Sequence, residues 1–137
     1  NIILLFMSFS KVRNAHKTEN TEDYLELISD LLHKNGEARI VDIANALDIA
    51  QATANKTIKR LQSQGYIKKE PYRSIFLTLK GHKVANRSKK RHNIVYRFLL
   101  NLGLEPKIAA ADSEGIEHHV SEKTLKKMEK FNNLKKY

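Results

Sequence analysis

Residues 41–78, VDIANALDIAQATANKTIKRLQSQGYIKKEPYRSIFLT, decide the fold. Val41 to Leu47 carries Ile43, Ala44 and Leu47 at helical spacing, and a brief turn at Asp48 and Ile49 follows. A second, basic helix then runs from about Gln51 to Gln64 and is closed by Gly65. Two short helices joined by a tight turn make a helix-turn-helix pattern. Beyond Gly65 the period changes. Tyr66 to Glu70 and Ser74 to Thr78 are short extended runs separated by Pro71, Tyr72 and Arg73, which reads as a β-hairpin. A hairpin directly after the second helix is the wing of a winged helix.

Toward the N-terminus, Glu19 to Lys34 forms an amphipathic helix through Tyr24, Leu25, Ile28, Leu31 and Leu32, with Gly36 suited to a left-handed cap. Toward the C-terminus, Thr78 caps a long helix through Val84, Ile94, Val95, Phe98 and Leu99 to Leu102, and Gly103 ends it. Pro106 opens another helix to about His119. Ser121 caps a last one carrying Leu125, Met128 and Phe131. The expectation is a mainly α chain: an N-terminal winged helix-turn-helix with a small hairpin wing, followed by an α-helical dimerisation domain. Residues 1–18 read as a disordered or misannotated extension with Met7 a candidate start, residues 19–80 as the winged helix, and residues 81–137 as the helical domain. That last stretch looks too small to hold its own core, so its apolar stripes call for a second copy, and two-fold symmetry suits a palindromic DNA site.

Composition narrows the function. The 137 residues contain no cysteine, which excludes a disulfide framework, a thiolate zinc site, an iron–sulfur cluster and cysteine nucleophilic catalysis, and fits a cytoplasmic setting. The longest apolar run, Ile2 to Met7, is far below the roughly 18 residues of a membrane helix. The formal net charge is +10, and between Lys56 and Arg97 stand 13 basic residues and a single acid, Glu70. A basic middle section in a compact domain is the footprint of a polyanion partner, although a solvated lysine-rich surface has the same composition. Neither a recognisable nucleophile nor a Gly-rich phosphate cradle is present, so neither an enzyme nor a small-molecule substrate is expected.

The acids gather elsewhere. Glu114, Glu117 and His118 occupy i, i+3 and i+4 and share one helix face. Asp23 and Glu26 make an acidic face on the first helix, and His92 lies mid-helix beside Lys89, Lys90 and Arg91. Clustered carboxylates repel unless something positive sits between them. Carboxylate and imidazole donors without sulfur suit manganese or ferrous iron.

The runs Glu22-Asp23-Tyr24-Leu25-Glu26-Leu27-Ile28, Pro71-Tyr72-Arg73-Ser74-Ile75-Phe76-Leu77-Thr78 and, above all, Glu114-Gly115-Ile116-Glu117-His118-His119-Val120-Ser121 resemble the manganese transport regulators. These form the short, manganese-responsive branch of the diphtheria toxin repressor family. The resemblance runs from about Glu19 to Phe131. It implies a cytoplasmic homodimer that binds double-stranded operator DNA and represses manganese uptake genes when loaded with Mn2+, at one or two ions per subunit, with Fe2+ as the alternative ion. By position, Asp23, His92, Glu114, Glu117 and His118 match the family's metal ligands, and Glu26 matches a ligand of a second ion. His119 would support the site by hydrogen bonding.

In such a regulator, Gln51 and Thr53 at the start of the second helix of the pair would read base edges. Lys56, Lys59, Arg60 and Arg73 would meet phosphates. The metal would act as a clasp, because its ligands come from both halves of the chain. The sequence departs from the family at the DNA-reading helix, where Ala50 and Ala52 stand in place of the usual Ser cap and Pro, and Ala54 and Thr57 in place of Val and Met. Tyr96 replaces the Glu that many relatives carry. Two other readings therefore stay open: a metal-independent winged-helix regulator, and a metal-binding dimer with altered operator specificity.

Overall fold

The computed structural model describes residues 20–137. The expected extension over 1–18 and the first residue of the expected helix, Glu19, lie outside the described residues. The chain forms two compact units, Asn20–Asn86 and 87–137, dividing within a helix between Asn86 and Arg87.

The first unit opens with α1, residues 20–35, whose Tyr24, Leu25 and Ile28 are buried. Gly36 ends it in the left-handed conformation, its N–H donating to Leu32 O. Next comes α2 (Ile40–Leu47), where Ile43 and Ala44 are buried and Asp42 accepts the Arg39 N–H. Asp48 makes the tight turn at φ 53, a left-handed conformation uncommon outside glycine. The second helix of the pair is α3 (Gln51–Ser63), anchored through Ala54, Ile58 and Leu61. Its N-cap is Ala50, which offers no side-chain acceptor.

The wing consists of β1 (Ile67–Lys69) and β2 (Ile75–Leu77), antiparallel with Lys68 opposite Phe76. Each strand is shorter than the run expected from sequence because the flanking residues have other partners. Tyr66 N–H closes back on Leu61 O, and the Thr78 hydroxyl caps α4 by accepting the Gly81 N–H. A third segment joins the hairpin: Ile75 N–H donates to Ala38 O, and Ser74 Oγ accepts the Ala38 N–H. The long helix α4 (Leu79–Asn101) starts against the wing base. There the Tyr66 carbonyl packs so close to Gly81 that a Cβ would lie 2.1 Å from the oxygen. Only glycine fits that contact. Thirteen buried apolar residues, from Tyr24 to Ala85, form the core of this unit.

The second unit holds the rest of α4, then α5 (Pro106–Ile116) and α6 (Glu122–Asn133). Gly103 has the left-handed φ of 96 that ends α4, Pro106 stands in the first turn of α5, and Ser121 Oγ accepts the Thr124 N–H at the start of α6. Contrary to the expectation from its size, this unit has a small core of its own. Ile94, Val95, Leu99, Ala109 and Leu125 are buried, with Phe98, Leu104, Val120 and Met128 packed around them. Polar bonds supplement it: buried Asn132 donates to Ile94 O and accepts from Asn101. No helix among the described residues is long and apolar enough to cross a membrane.

Candidate metal centre and nucleic-acid interface

The sequence places Glu114 and Glu117 one turn apart near the end of α5, and His92 two-thirds of the way along α4. The structure brings these three together: one ligand atom from each lies within 4.8 Å of the others. His92 Nδ1 is hydrogen-bonded to Glu117 Oε2 at 2.6 Å and stands 3.7 Å from Glu114 Oε1. His118 Nε2 lies 3.3 Å from the other Glu117 oxygen, Oε1.

Glu114 and Glu117 share a face as the i, i+3 spacing predicts, but His118 lies beyond the end of the helix. α5 stops at Ile116, short of the expected His119, and residues 117–119 form a turn closed by His119 N–H on Ile116 O. Burial consequently diverges: the Glu114 side chain is 67% exposed, that of Glu117 1% and that of His118 2%. Burial pushes the Glu117 carboxyl up from its ordinary 4.5 to about 7, and the neighbouring Glu114 adds to the rise. His92 and His118 pull the other way. Among the described residues, the buried Glu117 Oε1 accepts no hydrogen bond. A buried carboxylate with a free lone pair, a second carboxylate and nearby imidazoles make a donor set that fits a hard or borderline divalent cation.

Two residues shape this site without being ligands. The Tyr96 ring stacks on His92, with centroids 6.1 Å apart and planes 5° from parallel. Arg91 reaches from α4 to the turn between α5 and α6. Its Nε and Nη2 both donate to Glu117 O, Nη2 also donates to Val120 O, and Nη1 pairs with Glu122. Sequence reasoning missed both roles. Tyr96 was visible only as a departure from the family pattern, and Arg91 as one more cation in a basic run.

Asp23 and Glu26, the remaining expected ligands, are half-buried one turn apart on α1 in the first unit. His119 is exposed.

The candidate DNA-contacting residues lie on the first unit. Gln51, Thr53, Lys56 and Lys59 are exposed along α3, away from its buried Ala54, Ile58 and Leu61. Arg60 is half-buried and differently used, since its Nη1 donates to Thr21 Oγ1 and Gln64 Oε1. Arg73 sits in the wing turn, exposed and paired with Glu70 at 3.2 Å. Next to it Tyr72 is 97% exposed and held at φ 61.

Comparison with known proteins agrees with this division. The family described as "Iron dependent repressor, N-terminal DNA binding domain" matches residues 16–75. Its companion, "Iron dependent repressor, metal binding and dimerisation domain", matches residues 78–136. The chain is similar to the transcriptional regulator MntR of Escherichia coli O6:H1, at 53% identity over 85% of this chain and 76% of that protein. It is also similar to the HTH-type transcriptional regulator MntR of Shouchella clausii, at 38% identity over 76% of this chain and 73% of that one. Among solved structures it resembles the manganese regulator SloR, with a TM-score of 0.72 and 25% identity over 82% of this chain. The match spans about half of that longer chain, 53%. The chain thus belongs to the iron-dependent repressor family and carries both its DNA-binding domain and its metal-binding and dimerisation domain.

Proposed function

We propose that the protein is a manganese-responsive, homodimeric DNA-binding regulator that represses manganese uptake genes when metal-loaded. The observation that carries this reading is the His92–Glu114–Glu117 cluster, a sulfur-free donor set in the unit that matches a metal-binding and dimerisation domain. Its relatives are transcriptional regulators, not enzymes. Bound Mn2+ supplies the positive charge that clustered carboxylates lack.

In this reading His92, Glu114, Glu117 and His118 hold the ion. Asp23 and Glu26 complete the ligand set, with one or two ions per subunit and Fe2+ as a competitor. The imidazole of His92 is oriented by Tyr96, and its Nδ1, which faces both Glu117 and Glu114, is the atom it offers to the ion. On the DNA side, Gln51 and Thr53 read base edges, while Lys56, Lys59 and Arg73 neutralise phosphates. Arg60 serves α3 from within through Thr21 and Gln64, which makes it the least available of the proposed phosphate contacts. Metal and operator bind with linked affinities, each raising the other by the same factor.

The test is binding to a palindromic promoter fragment upstream of a manganese transporter gene, titrated with manganese against zinc and magnesium at physiological salt. Specific binding that needs manganese is the expected result; equal binding without metal overturns the reading. Because Glu114 is largely exposed, Glu114→Ala should leave a folded dimer while abolishing metal-dependent binding. Retention of the wild-type metal requirement in that variant removes Glu114 from the ligand set. The missing cap on α3 favours one second reading, a metal-binding dimer with altered operator specificity. It is distinguished by metal uptake without a complex on that promoter.

A further inference from the structure

We infer that Arg91 is a positioning residue for the metal centre, locking the turn that bears Glu117 and His118 onto the helix that bears His92; this rests on the metal reading above. The turn from the end of α5 to the start of α6 has carbonyls without helical partners. Arg91 takes two of them: Nε and Nη2 reach Glu117 O at 3.0 and 2.8 Å, and Nη2 reaches Val120 O at 2.7 Å. Its Nη1 holds Glu122, the first residue of α6, at 2.8 Å. One guanidinium therefore spans the segment that contains both Glu117 and His118.

The tether is anchored one residue before His92. Any slack in it becomes slack between the His92 ring and the Glu117 carboxylate, which now meet at 2.6 Å. The Arg91 side chain is only 15% exposed, so these bonds face little competition from water. Its location at the C-terminal end of α5 also places a cation where the helix dipole is negative. A ligand role is excluded by chemistry, because a guanidinium has no lone pair to offer a metal. The fork geometry is the essential property. A lysine ammonium keeps the charge but has no rigid plane to serve two carbonyls and a carboxylate together.

The experiment uses the full chain and manganese or cobalt as probes. Arg91→Lys should retain the far-UV circular dichroism and dimer mass of the parent, yet bind manganese about tenfold more weakly, in line with the loss of an outer partner of metal ligands. Its cobalt complex should show an altered visible absorption spectrum, a readout of ligand geometry that a general loss of stability does not produce. Glu122→Ala removes one contact from a side chain that is 69% exposed, so it should fold even where Arg91→Lys does not. Its expected manganese affinity is about threefold weaker, part of the effect of losing a metal ligand's outer partner. Parent-like affinity and cobalt spectra in whichever of these variants fold overturn the positioning role. A parent protein that takes up neither metal overturns the metal reading itself, and the inference with it.

Discussion

The two units solve the same problem, holding together a few dozen residues, with different materials. The first buries thirteen apolar side chains in one cluster and places its candidate DNA contacts on the outside of α3 and the wing. The second buries five apolar residues beside four polar ones, Ser88, Ser113, Glu117 and Asn132, against two buried polar residues, Glu22 and Ser29, in the larger core of the first. One of those four is the central residue of the candidate metal centre. In the first unit the functional surface is separable from the core; in the second the site is part of it. Substitutions at the exposed candidate DNA contacts Gln51, Thr53, Lys56 and Lys59 should therefore leave folding alone, whereas changes at Glu117 itself alter folding and binding together.

The contrast can be broken at its strongest point by Gly81→Ala. The new methyl would meet the Tyr66 carbonyl, and the backbone must shift to admit it. The expected cost is about 3 kcal/mol in the first unit, measured by urea denaturation. A cost under about 1 kcal/mol would show that this unit is less tightly specified than its apolar core implies.

A smaller effect sharpens the contrast from the other side. Glu117 keeps its proton up to about pH 7 in the fold, against an ordinary value of 4.5. Folding of the metal-free chain takes up a proton between those limits, so the stability tied to this carboxyl is present below 4.5 and is lost as pH rises through 7. Glu117→Gln, measured with chelator present, should flatten that decline and be the more stable form at pH 8. An unchanged slope would mean the buried carboxylate is not the source. By the same proton, metal binding should tighten as pH rises through this range.

The smallest effect belongs to the exposed start of α3. Ala50→Ser supplies the missing cap and should raise stability by about 1 kcal/mol without altering metal uptake. A change in metal affinity would contradict the separability of this surface from the centre.

How much of this was legible in the sequence follows the same division. Helices, wing and caps were readable because they rest on local rules: Gly36 and Gly103 in left-handed turns, Pro106 in a first turn, Ser121 and Thr78 as caps. The grouping of His92 with Glu114 and Glu117 could be suspected from donor types, but their convergence needed the fold. Three features had no local signal. The bond from Ile75 to Ala38 joins residues 37 apart, the close contact at Gly81 depends on a carbonyl 15 residues upstream, and Arg91 works on a turn 26 residues away. Charge counting pointed to a polyanion partner but overstated the free charge, for a related reason. Of the 13 cations between Lys56 and Arg97, Arg60, Arg73, Lys80, Arg91 and Arg97 are engaged by groups within the chain, so fewer face a polyanion than the sum suggests.

The parallel stacking of Tyr96 on His92 has an optical consequence. The chain has five tyrosines and no tryptophan, so no indole masks phenol emission or drains it by energy transfer. A ring stacked on an imidazole of the candidate metal centre should change its quantum yield when that imidazole changes state. Loading of the centre can thus be followed in the unlabelled protein by ultraviolet fluorescence, with Tyr96→Phe as the dark control.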